Sequence, residues 1–327
     1  MTVYLWLGIT SAVLALMLTP LVGRVSTKLG LVDAPGGRKV HARPVPRLGG
    51  VAVIGAAVVA LAIALWRGSV EPAVWTSMQP FTIAGGIIFL AGLIDDIWEL
   101  GPAAKLLAEL GAAVVMMSSG LLIERVTLLG VTWNLGWVAW PVTAGWLVGV
   151  TNAFNLIDGV DGLAAGIVAL AGTTCAAILV VRGHAPEAML LTAFVGASLG
   201  FLCFNFAPAS IFLGDSGSLL FGFLLASTAI TGWQKGATAL ATAVPLMMFA
   251  VPIVDSALAL GRRATVRPAG GRSIAATLRR IAQPDREHIH HRLLALGWSE
   301  RRTVLMLYAI TAIFSLLALA TAEVRPQ

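Results

Sequence analysis

Residues 162–181 read G-L-A-A-G-I-V-A-L-A-G-T-T-C-A-A-I-L-V-V, twenty residues without a charged side chain. A helix of about twenty apolar residues is long enough to cross the hydrocarbon core of a membrane. The chain contains further segments that are largely apolar and of similar length. They predict ten transmembrane helices, at 3–22, 49–66, 79–94, 103–119, 136–154, 162–181, 187–206, 217–231, 237–259 and 303–321.

The composition agrees with a membrane protein that crosses the bilayer many times. Of the 327 residues, 58% are hydrophobic and 12% are charged, and the mean hydropathy is +0.88. An ordinary soluble domain has roughly 25% charged residues. These values, with only two cysteines, exclude a disordered chain, a secreted disulfide scaffold and a nucleic-acid-binding module. We therefore expect an all-α polytopic integral membrane protein with a single membrane-embedded domain over 1–327.

The positive charges predict the orientation. Six lysine or arginine residues lie in 24–47 and ten lie in 262–302. Since loops rich in lysine and arginine stay in the cytoplasm, we expect both segments there and both termini outside. The first apolar run has no basic residue before it and no A-x-A cleavage pattern, which favours a retained helix over a signal peptide. In the second basic segment, Ser273–Ile281 is predicted to form a short amphipathic helix on the inner leaflet.

Carboxylates fall in or beside the same predicted inner loops, although orientation requires only the positive charges. Asp95 and Asp96 are adjacent at the inner end of the third predicted helix. Adjacent acids raise each other's pKa unless a cation or a proton intervenes. Because Mg²⁺ is typically held by one or two carboxylates with substrate phosphates, the pair favours a divalent-cation site. A solvated helix end is the alternative.

A second polar cluster connects the fifth and sixth predicted helices. Residues 152–162 read N-A-F-N-L-I-D-G-V-D-G. Asn155, Asp158 and Asp161 are spaced by three, so in a helical turn they would share a face. The glycines permit a tight backbone and a close approach by a ligand. The segment predicts a binding site, while N-capping of the next helix by Asp161 is the alternative.

A third cluster, G-D-S-G-S at 214–218, opens the eighth predicted helix. Small residues at a helix start can present backbone N–H groups to a phosphate, while Asp215 holds a metal ion. A plain capping turn is the alternative.

Two further inner loops carry cations and imidazoles. The loop 33–50 is basic and rich in proline and glycine, which indicates a shaped loop. The run H-I-H-H-R at 288–292 has no standard zinc spacing and no neighbouring cysteine. Its side chains suit hydrogen bonding to sugar hydroxyls or phosphate oxygens, with a solvated loop as the alternative. Asp255, late in the ninth predicted helix, is a candidate functional residue or the partner of an inner-loop arginine.

These motifs, in this order, resemble the polyprenyl-phosphate N-acetylhexosamine-1-phosphate transferases of the glycosyltransferase 4 type. The resemblance covers nearly the whole chain and rests on D-A-P-G-G-R-K-V-H-A-R-P-V-P-R-L-G-G (33–50), D-D (95–96), N-A-F-N-L-I-D-G-V-D-G (152–162), G-D-S-G-S (214–218) and H-I-H-H-R-L-L (288–294). Within the family the chain resembles the WecA/TagO-like branch. Relatives that use UDP-MurNAc-pentapeptide usually carry T-P-T-M-G-G where 45–50 read V-P-R-L-G-G, and a threonine where Ile157 stands.

The resemblance implies ten or eleven transmembrane helices in a bacterial cell membrane and a cytoplasmic active site. It implies transfer of a HexNAc-1-phosphate, for which we expect UDP-GlcNAc as donor, to undecaprenyl or decaprenyl phosphate. UMP leaves, and the lipid-linked sugar starts a cell-envelope glycopolymer. Mg²⁺, or Mn²⁺ in its place, is the expected cofactor, and a homodimer is the expected assembly.

The resemblance also implies roles for individual residues. The expected metal ligands are Asn155 and Asp215. The expected catalytic carboxylates are Asp95, Asp96 and Asp158. The expected substrate-binding residues are Arg47, Asn152, Gly159, Val160, Asp161, Arg262, His288, His290 and His291.

Two other functions remain as alternatives. One is the related MurNAc-pentapeptide-phosphate transferase of peptidoglycan synthesis. The other is a secondary transporter, for which ionisable residues should lie near the bilayer midplane and the two halves should repeat. In this sequence the acids cluster near one predicted face, and we detect no repeat.

Overall fold

The computed structural model describes residues 1–34, 43–68, 72–128, 131–233, 249–256 and 289–323. Its α-helices are α1 (Thr2–Lys28), α2 (Gly49–Trp66), α3 (Pro72–Trp98), α4 (Pro102–Ser118), α5 (Ala139–Ile157), α6 (Leu163–Val181), α7 (Ala185–Asn205), α8 (Asp215–Trp233), α9 (Ile289–Ala295) and α10 (Glu300–Glu323). A 3₁₀ turn, Gly136–Val138, precedes α5.

Two short antiparallel strand pairs accompany the helices. Strand β1 (Val32–Asp33) pairs with β2 (Val45–Pro46), and β3 (Arg125–Leu128) pairs with β4 (Val131–Asn134). The sequence interpretation had no strands. The first pair matters for the site because the chain runs from β2 directly into α2.

Nine of the ten predicted segments coincide with helices of the structure. The remaining one, 237–259, is described only over residues 249–256, and the predicted amphipathic helix at 273–281 lies outside the described residues. The helix predicted at 79–94 is longer in the structure and extends to Trp98. Its last turn is polar and carries the adjacent aspartates, which is why apolar length alone ended the predicted helix too early.

Six of the described helices are long and apolar enough to cross a membrane by length and composition: Thr2–Lys28, Gly49–Trp66, Val74–Trp98, Leu163–Val181, Ala185–Asn205 and Glu300–Ala320. This agrees with the predicted all-α polytopic architecture. An apolar helix surface can face lipid, so the outer helices of the bundle leave much of their apolar surface exposed. On α1, for example, Leu5, Ile9 and Met17 are each more than 60% exposed.

The bundle is built around α6, α7 and α8. Helix α7 packs against α1, α2 and α6, and α8 packs against α3, α5 and α6. Most side chains of α6 and α7 are buried, and both helices are apolar on all sides, as expected for the centre of a bundle. The packing of α8 between α3 and α5 brings the end of α3, the end of α5 and the start of α8 together.

Candidate active site

A cavity of about 720 Å³ opens at this meeting point. It brings together residues that are distant in sequence. Eight of the residues singled out from the sequence line it: Arg47, Asp95, Asp96, Asp158, Gly159, Val160, Asp161 and Asp215. Residues from separate sequence motifs therefore meet at one cavity.

Asp96 fixes the start of α8 from the end of α3. It is only 5% exposed, and its two carboxylate oxygens accept hydrogen bonds from the backbone N–H groups of Asp215, at 2.8 Å, and Ser216, at 3.1 Å. The first N–H groups of a helix have no partner within the helix, and a negative charge is favourable there. Asp96 thus caps a helix that starts 119 residues further along the chain. The expectation that these two N–H groups bind a phosphate is wrong, because Asp96 occupies them.

Two glycines allow this cap to form. Gly214, just before α8, has φ +76°, and a Cβ there would lie 2.7 Å from both oxygens of Asp96. A Cβ on Gly92, one turn before Asp96 on α3, would lie 2.6 Å from the backbone of Asp215. The close approach of α3 to the start of α8 therefore requires the absence of a side chain at both positions.

Asp95 and Asp215 are joined by a cation that the sequence interpretation missed. Lys105 Nζ, on α4, lies 3.2 Å from Asp95 Oδ2 and 2.8 Å from Asp215 Oδ2. All three side chains are partly exposed, between 16% and 24%. A signal was present, because a lone lysine in an apolar segment that could span a membrane is a functional candidate.

Asn155 completes this cluster from α5. Its Nδ2 donates to Asp215 Oδ1 and to Ser218 Oγ, both at 3.0 Å. A half-turn of the amide exchanges its nitrogen and oxygen, so Asn155 and Asp215 can each present an oxygen to the same point. The predicted ligands Asn155 and Asp215 are therefore neighbours.

The donor set at this point suits Mg²⁺ shared with a substrate. Among the described residues, no group of three or more histidine, cysteine, aspartate or glutamate side chains is placed to hold a metal ion. Mg²⁺ does not need such a group, since it is usually held by one or two carboxylates, water and substrate phosphates. One carboxylate and one amide oxygen, from Asp215 and Asn155, fit that pattern.

Asn152 lies one turn earlier on α5 and does not line the cavity. Its Nδ2 donates to Glu109 Oε2 of α4 and to the carbonyl oxygen of Val148 at 3.0 Å. Glu109 is only 2% exposed, and the sequence interpretation did not single it out. Both amide hydrogens of this predicted substrate-binding residue are thus donated within the protein.

The turn between α5 and α6 is held by two distant segments. Asp161 Oδ2 accepts a hydrogen bond from the backbone N–H of Ala209 at 2.7 Å. The N-cap residue of α6 is Gly162, and no side chain forms a capping hydrogen bond there. The alternative that Asp161 caps this helix is therefore wrong. The Tyr308 hydroxyl of α10 donates to the carbonyl oxygen of Gly162. Helix α5 ends at Ile157, so 155–161 is not one continuous helix.

Asp158, in this turn, is strongly affected by its surroundings. Burial raises its pKa well above the usual value of an aspartate, and the negative charges of Asp215, Asp96 and Asp161 raise it further. A proton on Asp158 therefore relieves repulsion inside a cavity that already holds several carboxylates.

Arg47 supplies a donor without a partner in the described part of the chain. It lines the cavity, and its Nε is buried and makes no hydrogen bond there. A buried unpaired donor is costly, so a ligand that accepts its hydrogen would be stabilised.

The remaining predicted residues lie partly outside the described chain. Arg262 and His288 are outside it, as are residues 35–42 of the basic loop. His290 and His291 lie on α9, but their side chains are not among those described. Asp255 is described and is 2% exposed.

Comparison with known proteins places these features in a family. The family described as Glycosyl transferase family 4 matches residues 78–233, which contain most of α3, all of α4 to α8 and the carboxylates above. Three similar proteins each match more than 90% of this chain. A Bacillus subtilis protein named "Probable undecaprenyl-phosphate N-acetylglucosaminyl 1-phosphate transferase" is 38% identical over 95% of this chain and 83% of its own length.

The other two relatives differ in the sugar that their names state. A Mycobacterium tuberculosis protein named "Decaprenyl-phosphate N-acetylglucosaminephosphotransferase" is 34% identical over 92% of this chain and 78% of its own length. A Synechococcus protein named "Phospho-N-acetylmuramoyl-pentapeptide-transferase" is 33% identical over 93% of this chain and 86% of its own length.

Proposed function

We propose that this chain uses UDP-GlcNAc as donor. The chain belongs to the WecA/TagO-like polyprenyl-phosphate N-acetylhexosamine-1-phosphate transferases of glycosyl transferase family 4 and is thus a phosphoglycosyl transferase. An oxygen of the polyprenyl phosphate forms a bond to the β-phosphorus of the donor. The bond between that phosphorus and the bridging oxygen breaks, and UMP leaves with the electron pair. GlcNAc linked through a pyrophosphate to the lipid remains.

The observation that carries the proposal is the cluster of Asp95, Lys105, Asp215 and Asn155 at the start of α8. Both substrates are anions, so bringing their phosphates together is electrostatically unfavourable. Phosphoryl transfer relies mainly on positioning and on neutralisation of charge. The cluster combines a fixed cation with oxygen donors that suit a divalent metal ion.

Within this proposal, Asp215 and Asn155 hold Mg²⁺. The metal ion supplies neutralisation of the donor diphosphate. Lys105 and the unpaired Arg47 Nε supply further positive charge towards the phosphates. The raised pKa of Asp158 reduces the negative charge that an anionic substrate meets.

The adjacent aspartates have different roles in this proposal. Asp96 positions α8, because both of its oxygens are used by backbone N–H groups. Asp95 contacts Lys105 and faces the cavity. A phosphate monoester is already largely ionised near pH 7, so the lipid phosphate needs no strong base to attack.

The site is proposed to face the cytoplasm, with ten membrane-spanning helices and both termini outside. The support is the concentration of lysine and arginine in 24–47 and 262–302, because loops rich in these residues stay in the cytoplasm. Arg47, in the first of these segments, lines the cavity. Helices α4, α5 and α8, which are shorter or more polar than the six apolar ones, are proposed to span as well, because they pack between spanning helices.

A second candidate donor is UDP-MurNAc-pentapeptide, which the similarity to the Synechococcus relative favours. Against it stand Ile157 and the sequence V-P-R-L-G-G at 45–50. A bulky apolar side chain next to Asp158 does not reproduce the hydroxyl of a threonine.

A donor panel tests the proposal. Purified protein in detergent is incubated with polyprenyl phosphate, Mg²⁺ and one of UDP-GlcNAc, UDP-GalNAc or UDP-MurNAc-pentapeptide, and released UMP is measured. We expect UMP with UDP-GlcNAc and at least tenfold less with the pentapeptide donor. UMP release with the pentapeptide donor alone would replace the GlcNAc assignment. Transport of substrate across sealed vesicles without UMP release would refute the transferase.

A further inference from the structure

A second cavity, of about 450 Å³, lies between the end of α1, strand β2 and the end of α7. Its lining combines apolar and cationic side chains, and none of the described residues that line it is acidic. The residues that matter here are Pro20, Arg24, Lys28, Pro46, Phe204 and Ile211.

The cations of this cavity have no partner among the described residues. Arg24 and Lys28 are four residues apart and therefore lie on one face of α1. Both are exposed, and within the described chain neither forms an ion pair or a hydrogen bond through its side chain. Two unpaired cations above an apolar floor favour a ligand with an anionic head and an apolar body.

The exposed apolar face of α1 is adjacent in sequence to the residues that line this cavity. Met17, Leu21 and Val25 follow the same side of the helix and are 63%, 51% and 53% exposed. The helix is long and apolar enough to cross a membrane, and the two cations lie at its last turns. An apolar chain of a lipid can therefore lie along α1 while its head reaches Arg24 and Lys28.

We propose that this second cavity binds the phosphate headgroup of an anionic membrane phospholipid. A phospholipid is favoured over a soluble anion because the apolar path on α1 continues from the cations into the membrane. It is favoured over the polyprenyl phosphate substrate because the cavity is closed off from the carboxylate cluster by a wall of protein.

The segments that form this wall, 46–47 and 211–212, contact both the proposed lipid site and the active site. Pro46 and Ile211 line the second cavity, while their neighbours Arg47 and Phe212 line the active-site cavity. The backbone N–H of Phe212 donates to the carbonyl oxygen of Pro46 at 2.8 Å. The backbone N–H of Gly49 donates to the carbonyl oxygen of Phe212 at 2.9 Å. A headgroup bound behind this wall stabilises the segments that position Arg47 and the start of α8.

Lipid-dependent stabilisation tests the proposal without donor, acceptor or Mg²⁺. Detergent-solubilised full chain is titrated with dioleoyl phosphatidylglycerol or, as the neutral lipid, dioleoyl phosphatidylcholine, and the thermal unfolding midpoint is followed. The test variant is Arg24→Gln/Lys28→Gln. The matched control is Arg125→Gln/Arg302→Gln, which removes two exposed arginines away from the cavity.

We expect phosphatidylglycerol, and not phosphatidylcholine, to raise the midpoint of the wild type and of the control. The test variant should need about 25-fold more phosphatidylglycerol for the same shift, since each of the two cations near an anionic lipid contributes about fivefold in affinity. In a transfer assay with polyprenyl phosphate and no added phospholipid, its activity should equal that of the wild type, which separates this inference from the proposed function.

Three results would overturn the inference. One is an equal response to phosphatidylglycerol in the test variant and the wild type. Another is equal stabilisation by inorganic phosphate at the same phosphate concentration, which would make this an ion site. The third is stabilisation through Arg24 and Lys28 by polyprenyl phosphate alone, which would assign the cavity to the acceptor.

Discussion

Adjacent aspartates of the same charge and size should respond very differently to the same substitution. Asp96 is 5% exposed and accepts two backbone hydrogen bonds, whereas Asp95 is partly exposed and contacts Lys105 at 3.2 Å. We therefore compare Asp96→Asn with Asp95→Asn. The two variants carry the same change at neighbouring positions, so each is the control for the other.

The magnitude follows from the contacts of Asp96. A hydrogen bond to a charged group contributes about 1.5–3 kcal/mol, and a buried donor left without a partner costs about 1–3 kcal/mol. In Asp96→Asn, the new NH₂ group faces one of the two N–H groups of α8, so that bond is lost and the other loses its charge. We expect the free energy of unfolding to fall by about 3 kcal/mol. For Asp95→Asn, a partly exposed ion pair contributes about 0.5 kcal/mol.

Thermal unfolding in detergent micelles, followed by tryptophan fluorescence, measures the difference. The midpoint of Asp96→Asn should fall by about 4 °C, and that of Asp95→Asn by about 1 °C. Transfer activity should fall in both, because Asp95 belongs to the charged cluster and Asp96 positions it. Midpoints within about 2 °C of each other would refute the capping role of Asp96.

Three further substitutions test other parts of the site. Lys105→Gln should lower transfer at saturating Mg²⁺ by about tenfold or more, since about 1.4 kcal/mol of lost charge stabilisation has that effect, whereas Arg125→Gln at the exposed hairpin should match the wild type. Asp158→Asn should raise the free energy of unfolding, by an amount that is absent below about pH 4 and grows as the pH rises towards the raised pKa of Asp158. The reason is that the aspartate ionises at a lower pH in the unfolded chain than in the folded one. An increase in stability that is independent of pH in thermal scans would contradict this. Tyr308→Phe removes the bond to Gly162 and should raise KM for the UDP-sugar several-fold with little change in kcat, and an unchanged KM would show that the turn does not need this bond.

The helices and the cavity lining were predictable for a physical reason. Membrane-spanning helices need long apolar runs, and these runs are visible without any tertiary information. Polar motifs at the ends of such runs must leave the hydrocarbon, so charge asymmetry alone grouped them at one face. That grouping is why Asp95, Asp158 and Asp215 were expected together, and they do line one cavity.

The pairings inside the site were not predictable in the same way. The bond from the N–H of Asp215 to Asp96 joins residues 119 apart, and the bond from Asn152 to Glu109 joins residues 43 apart. Lys105 and Glu109 lie within an otherwise apolar helix, where the hydrophobic pattern hides them. Their position on one side of α4, four residues apart, was the available signal.

The strand pair β3–β4 was also missed, although the sequence contains a signal for it. Residues 125–134 read R-V-T-L-L-G-V-T-W-N, with β-branched residues on both sides of a glycine. Such a pattern is typical of a hairpin. Strands of only four residues each are too short to stand out as long apolar runs, so the hairpin was not predicted.

The most direct test of the account uses UDP-GlcNAc that carries ³²P at the β-phosphate and ³H in the sugar. Wild-type protein, Asp215→Asn and the Arg125→Gln control are incubated with polyprenyl phosphate and Mg²⁺, and both labels are counted in the lipid extract. We expect equal amounts of ³²P and ³H in the lipid with the wild type and the control, and at least a hundredfold less of both with Asp215→Asn. Lipid that contains ³H without ³²P, or a normal yield from Asp215→Asn, would contradict the account.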